Sequence, residues 1–107
     1  MTLTSKQRAF LRAMAVNLDT ILMIGKGGIS DDVLTQADGA LTARELIKGR
    51  VLETAPGSVK ELAAQVAEAT GAELVTTIGT RFVLYRRNEK KPVIELPKAA
   101  KTSAGNR

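Results

Sequence analysis

Apolar and polar residues follow two rhythms along this chain, one helical and one strand-like, separated by glycine, proline and hydroxyl residues. Thr4-Ser5-Lys6-Gln7 has the form of a capping box, threonine as N-cap and glutamine three residues on. Phe10, Leu11, Met14 and Leu18 follow at helical spacing, which predicts a helix to about residue 18 with those four inward. Arg8 and Arg12 share one flank of that stripe and Lys6 lies on the other. Residues 20–24 are apolar at consecutive positions after Thr20 and predict a central strand buried on both faces. Ser30, followed by Asp31 and Asp32, has the signature of a helix start, with Ile29 and Leu34 placed as a hydrophobic staple. The inward stripe of that helix is Val33, Leu34, Ala37, Ala40 and Leu41.

Residues 46–53 alternate, with Ile47, Gly49 and Val51 on one side and Leu46, Lys48, Arg50 and Leu52 on the other. Pro56-Gly57 breaks the chain. Ser58 to Glu61 forms a second capping box, opening a helix with Val59, Leu62, Ala63 and Val66 inward and Gly71 as its stop. Two strands, 74–78 and 82–86, flank Gly79-Thr80 as a hairpin, and 92–96 adds an extended segment. The order α-β-α-β-α-β-β calls for parallel neighbours across the helical crossovers and an antiparallel pair at the hairpin. The fold class is therefore α/β: a two-layer domain on a mixed four-stranded sheet, whose strand order the periodicity leaves open. Residues 1–97 form one domain, and 98–107, which lack apolar content, are expected to be a basic disordered tail.

Composition removes whole classes of chemistry. The 107 residues contain no cysteine and no histidine, so thiol nucleophiles, Cys-based zinc sites and the commonest general base are excluded. Asp31 and Asp32 point about 100° apart on a helix and read as dipole partners, not as an acid–base pair. No catalytic residue, metal site or cofactor is expected. The longest strongly apolar run is Ile21 to Ile24, far too short to span a bilayer, and a cytoplasmic location is expected. Net charge is +5, but it is distributed as +3 over residues 1–30, −4 over 31–80 and +6 over 81–107. Folding the two ends together would concentrate a basic face. With only Phe10, Phe82 and Tyr85 as aromatics, base stacking is not the main binding device.

Gly25-Lys26-Gly27-Gly28 carries the most specific signal. It leaves a strand and enters a capped helix, where glycines admit a close backbone approach and Lys26 at the tip can reach a phosphate. A mononucleotide P-loop is excluded, because Thr20 stands where the first glycine belongs and no Ser or Thr follows Lys26. A dinucleotide fingerprint fails at Ser30. Two readings remain: a glycine-rich turn that is tight geometry alone, and a GXXG loop that clamps a nucleic-acid backbone, as in KH domains. Arg8, Arg12, Lys48, Arg50, Arg81, Arg86 and Arg87 are the further candidate contacts.

Leu3-Thr4-Ser5-Lys6-Gln7-Arg8, Leu11-Arg12 and Ile24-Gly25-Lys26-Gly27-Gly28-Ile29 resemble the bacterial YhbY-type, stand-alone CRM domains. The likeness continues through Glu45-Leu46-Ile47-Lys48, the stretch from Ala69 to Val75, Ile78-Gly79 and Leu84-Tyr85-Arg86, and spans residues 2 to about 96. Gly49 departs from it, standing where related strands more often carry a β-branched residue, which implies a weaker or distorted strand. The resemblance implies the fold of the C-terminal domain of bacterial translation initiation factor three, with an added N-terminal helix. It further implies binding to rRNA in precursors of the large ribosomal subunit through Gly25 to Gly28, and no catalysis; separately, a monomer is expected. Two rivals stand beside it: a protein-interaction module docking on ribosomal proteins or assembly factors, and a small phosphotransferase.

Overall fold

The computed structural model describes residues 3–88, 90, 92, 94 and 96. Its elements run α1 (Ser5–Ala15), β1 (Thr20–Ile24), α2 (Asp31–Arg44), β2 (Leu46–Val51), α3 (Val59–Thr70), β3 (Glu73–Ile78) and β4 (Arg81–Tyr85). Both capping boxes form: Gln7 N–H donates to Thr4 Oγ1 at 3.1 Å and Glu61 N–H to Ser58 Oγ at 3.2 Å. Ser30 accepts from Val33 N–H, and Gly71 ends α3 in the left-handed conformation. The expected tail, 98–107, lies outside the described residues.

The strands assemble in the order β1-β2-β4-β3. β1 runs parallel to β2, while β4 is antiparallel to both β2 and β3. β1 is thus an edge strand, not the central strand its apolar run predicts. Leu22 and Ile24 are buried, but Ile21 and Met23 look onto an open face and are 37% and 54% exposed.

Two cores form, one on each side of the sheet. Leu22, Ile24, Ile47, Val51, Phe82 and Leu84 pack against Ala37 and Leu41 of α2 and Leu62, Ala63, Val66 and Ala67 of α3. On the other side Leu46, Val75, Val83 and Tyr85 pack against Leu3, Leu11 and Ala15, with Ile94 and Leu96 alongside. The expected two layers are present, and α1 adds a partial third.

α1 is shorter than expected and turned about one position. It buries Gln7, Leu11 and Ala15, leaving Phe10 and Met14 over one-third exposed. The rotation follows from a tether that periodicity does not encode. Arg8 Nη1 donates to the Leu74 carbonyl at 2.6 Å and the Val75 carbonyl at 3.1 Å, where a bulge interrupts β3. These acceptors on an edge strand are thereby satisfied within the chain.

The β1–β2 register slips at Gly49, between the pairs Thr20–Lys48 and Leu22–Gly49, and the glycine also makes room. It lies opposite Phe82, and a Cβ there would come within 2.2 Å of the Phe82 ring. Burial of that ring against the sheet requires a position without a side chain.

A buried carboxylate fastens the chain after β4. Glu45, fully buried, sits between α2 and β2 with φ +65° and ψ −44°. Its Oε2 accepts from Asn88 N–H at 2.6 Å, its Oε1 from Ile94 N–H at 2.5 Å, and its carbonyl from Arg86 N–H at 2.9 Å. An L-residue in this conformation costs about 1–3 kcal/mol, which charge-assisted hydrogen bonds can offset.

Two stability outcomes are expected. Gly49→Ala should lower unfolding free energy by about 1–3 kcal/mol through overpacking, and should cost less in a Phe82→Leu background, as measured by urea denaturation of the double-mutant cycle. Tyr85 Oη is buried without a hydrogen-bond partner among the described residues. Burial, and secondarily the Glu45 charge, raise its pKa above the ordinary 10.0. The unfolded phenol therefore ionises first, and this contribution to stability is present below pH 10 and lost as pH rises beyond it. Tyr85→Phe should flatten the alkaline side of the stability–pH curve and cost little at pH 7, because no hydrogen bond is lost.

Candidate nucleic-acid interface

The Gly25–Gly28 segment forms a tight turn in which Gly28 N–H donates to the Gly25 carbonyl at 2.9 Å. Lys26 and Gly27 occupy its exposed tip. The three glycines do different work. Gly28 has φ +65°, and a Cβ there would lie 3.0 Å from Pro56 Cγ, so the fold itself requires it. A Cβ at Gly25 would only touch the side chain of Leu52, at 3.4 Å. At Gly27 a Cβ would meet nothing within 4 Å, and φ lies outside the left-handed region. The fold leaves Gly27 open space, and its missing side chain keeps the tip clear on the outside.

The turn is held against the segment after β2. Leu52 N–H donates to the Ile24 carbonyl at 2.8 Å, so β1–β2 pairing continues to the edge of the turn. The N-terminus of α2 is already capped by Ser30 and carries Asp31 and Asp32. An anion would therefore be received at the turn, not at the helix end.

Sheet register places three more cations. Ile47 and Val51 point into the core with α2 and α3, so Lys48 and Arg50 project from the opposite face. Arg50 pairs in register with Met23 of β1 and Arg81 of β4, and Arg81 pairs with Ile78 of β3. Met23, Arg50, Arg81 and Ile78 thus form one row across the sheet, roughly 14 Å wide at about 4.8 Å per strand. Lys48 stands one step behind, opposite Val83. This row lies at the end of the sheet where β1 runs into the Lys26 turn. α1 covers only the other end of the face, over Leu46, Val75 and Tyr85.

The remaining candidates separate from this group. Arg8 is tied to β3 by the two carbonyls described above and stands 3.7 Å from Glu73. Arg86 pairs with Asp38 at 2.7 Å and donates to the Thr70 carbonyl, the Asp38 carbonyl and Thr42 Oγ1. Both guanidiniums hold elements of the fold together. Arg12 is exposed, one helical turn beyond Arg8 on α1. Arg87 is exposed two residues beyond the end of β4, past the opposite end of that strand from Arg81. Tyr85 and Phe82 are fully buried, which leaves Phe10 as the aromatic with surface exposure. Among the described residues the ion pairs are Arg8–Glu73 and Arg86–Asp38, and none involves Lys26, Lys48, Arg50 or Arg81.

Met23 and Ile78, 54% and 64% exposed, were not anticipated as flanks of the cationic row. The alternation of β2 carried half of that signal. The other half depends on which strand lies beside β2, and hydropathy does not say.

The sequence model of the CRS1/YhbY (CRM) domain matches residues 3–86. The chain belongs to the CRS1/YhbY (CRM) domain family. A CRM relative from Bacillus subtilis, named Probable RNA-binding protein YqeI, is 41% identical over 95 residues, covering 89% of this chain and 99% of its own length. A Haemophilus influenzae relative, named RNA-binding protein, is 35% identical over 97 residues, covering 91% and 97%. The solution structure of the hypothetical Staphylococcus aureus protein SAV1595, described as a candidate RNA-binding protein, superposes on this CRM domain with a TM-score of 0.76. It shares 47% identity, over 90% of this chain and all of that one.

The division of labour among the cations has a direct test. Arg8→Ala and Arg86→Ala should each lower unfolding free energy by about 1–3 kcal/mol, since each strands acceptors that a charged donor now satisfies. Lys48→Ala and Arg81→Ala should change it by less than about 0.5 kcal/mol in the same chemical-denaturation assay.

Proposed function

We propose that this CRM domain is an RNA-binding protein of ribosome assembly, which holds rRNA in precursors of the large subunit through the Lys26 turn and the adjoining cations. The observation that carries the reading is Gly27: a glycine on an exposed tip, beside a lysine, that the fold does not need. A sugar–phosphate backbone laid across the turn needs that clearance, and Lys26 supplies the charge. Lys48, Arg50 and Arg81 extend the positive surface onto the open sheet face. Asp38 of α2 and Glu61 and Glu68 of α3 belong to the helical layer on the far side of the sheet, whereas Asp31 and Asp32 follow the turn and Asp19 lies beside Lys48 and Arg81.

RNA binding is further supported by the names of the two CRM relatives above. The large ribosomal subunit as target rests on the family resemblance, and a cytoplasmic location and a monomeric state are part of the same proposal. Phosphate contacts position a protein without reading sequence, so base selectivity at the turn itself is low and affinity falls steeply with salt.

The test is affinity for a structured fragment of large-subunit rRNA by fluorescence anisotropy across a salt series. Lys26→Glu and Gly27→Glu should each weaken binding at least about tenfold. Lys26→Ala should reduce the slope of log affinity against log salt by about one. Gly28 is unsuitable for this purpose, because its left-handed φ and Pro56 contact confound folding with binding. Wild-type affinity in both glutamate variants, with native circular dichroism, would remove the turn from the interface. Sedimentation with precursors of the large subunit tests the assembly role, which fails if the protein stays at the top of the gradient. Salt-insensitive association with a protein after RNase treatment would favour the interaction-module reading.

A further inference from the structure

The face that α1 leaves open contains a cavity of about 470 Å³ at the C-terminal end of that helix. Val16, Leu18 and Ile78 supply apolar walls, Lys48 and Arg81 the cations, and Asp19 a carboxylate. Val16 and Ile78 are 73% and 64% exposed, so the apolar wall opens to solvent. Apolar surface, two cations without ion-pair partners among the described residues, and one acceptor converge here, beside the Arg50–Arg81 row. Neither the turn nor the structural arginines account for the cavity.

We propose that this cavity receives a single unstacked nucleotide of the RNA, with guanine as the preferred base. The inference rests on the RNA-binding reading and adds a specificity site to it. Paired RNA hides its base edges in a deep, narrow groove, so proteins that discriminate among RNAs take hold of bases splayed out of the helix. The volume falls within the range of small-ligand sites, and an extruded base can be held between apolar side chains without an aromatic platform. Val16 and Ile78 offer that contact, and the Arg81 guanidinium offers a plane on which a base can stack. Lys48 and Arg50 are placed for the flanking phosphates. Asp19 accepts hydrogen bonds only, and guanine presents two adjacent N–H donors on its Watson–Crick edge. The turn would then fix the backbone while the cavity reads one base, two tasks on one surface.

Three RNA hairpins of identical stem decide the matter: fully paired, with one bulged guanosine, and with one bulged uridine. The wild-type protein should bind the guanosine bulge at least about tenfold more tightly than the paired stem, with the uridine bulge between. Val16→Gln combined with Ile78→Gln, both at exposed positions, should bind all three as the wild type binds the paired stem. Asp19→Asn should erase the difference between guanosine and uridine. Equal wild-type affinity for all three RNAs overturns the inference and leaves RNA binding standing. A retained bulge preference in the Val16/Ile78 double variant also overturns it, because the nucleotide then sits elsewhere. Binding to none of the three defeats the RNA reading itself, and the cavity assignment with it.

Discussion

β2 lies inside the sheet, between β1 and β4, and its side chains must alternate between two faces. One face is committed, because Ile47 and Val51 are part of the core against α2 and α3 and Gly49 gives its space to Phe82. Lys48 and Arg50 are thereby forced onto the other face. That face can accept them because α1 covers only the Leu46 end. Shifting β2 by one residue would drive two cations into the main core and expose Ile47, so the charged surface and the hydrophobic core are fixed by one register. The partial coverage by α1 is therefore as consequential as the cations themselves, since a longer helix would close the face.

The glycines of the Lys26 turn show how one short motif can serve folding and binding at once. Gly28 is needed for backbone geometry and for its contact with Pro56, whereas Gly27 is not needed by the fold. A motif match treats the two alike. Only the surroundings of each position distinguish a glycine that the protein requires from one that a ligand could use.

Much of the fold was legible because its signals are local. Thr4, Ser30, Ser58 and Gly71 mark helix ends through hydrogen bonds within a few residues, and these all form. Misreadings arose where the deciding contact was distant in sequence. The apolar run of β1 suggested two buried faces, but coverage depends on neighbouring elements, and Met23 is left open. Periodicity places the inward stripe of α1 one position out because Arg8 is held by carbonyls 66 and 67 residues away. The same kind of contact separates the arginines: nothing in the sequence distinguishes Arg86, clasped by Asp38, Thr42 and Thr70, from Arg81, which faces solvent. In the candidate site the turn was legible as a motif, while its alignment with Arg50 and Arg81 required the β2–β4 pairing.

Glu45 grips the chain after β4 by main-chain N–H groups, at Asn88 and Ile94. These two hydrogen bonds are therefore independent of which side chains stand at 88 and 94, although Asn88 Nδ2 also donates to the Thr42 carbonyl and Ile94 packs against the second core. Proline at either position removes its hydrogen bond to the carboxylate outright, since proline has no N–H to offer, whereas other replacements lose only what the side chains add. A single buried carboxylate thus pins the chain at two points through its main chain, so that the side chains there reinforce an attachment they do not have to create.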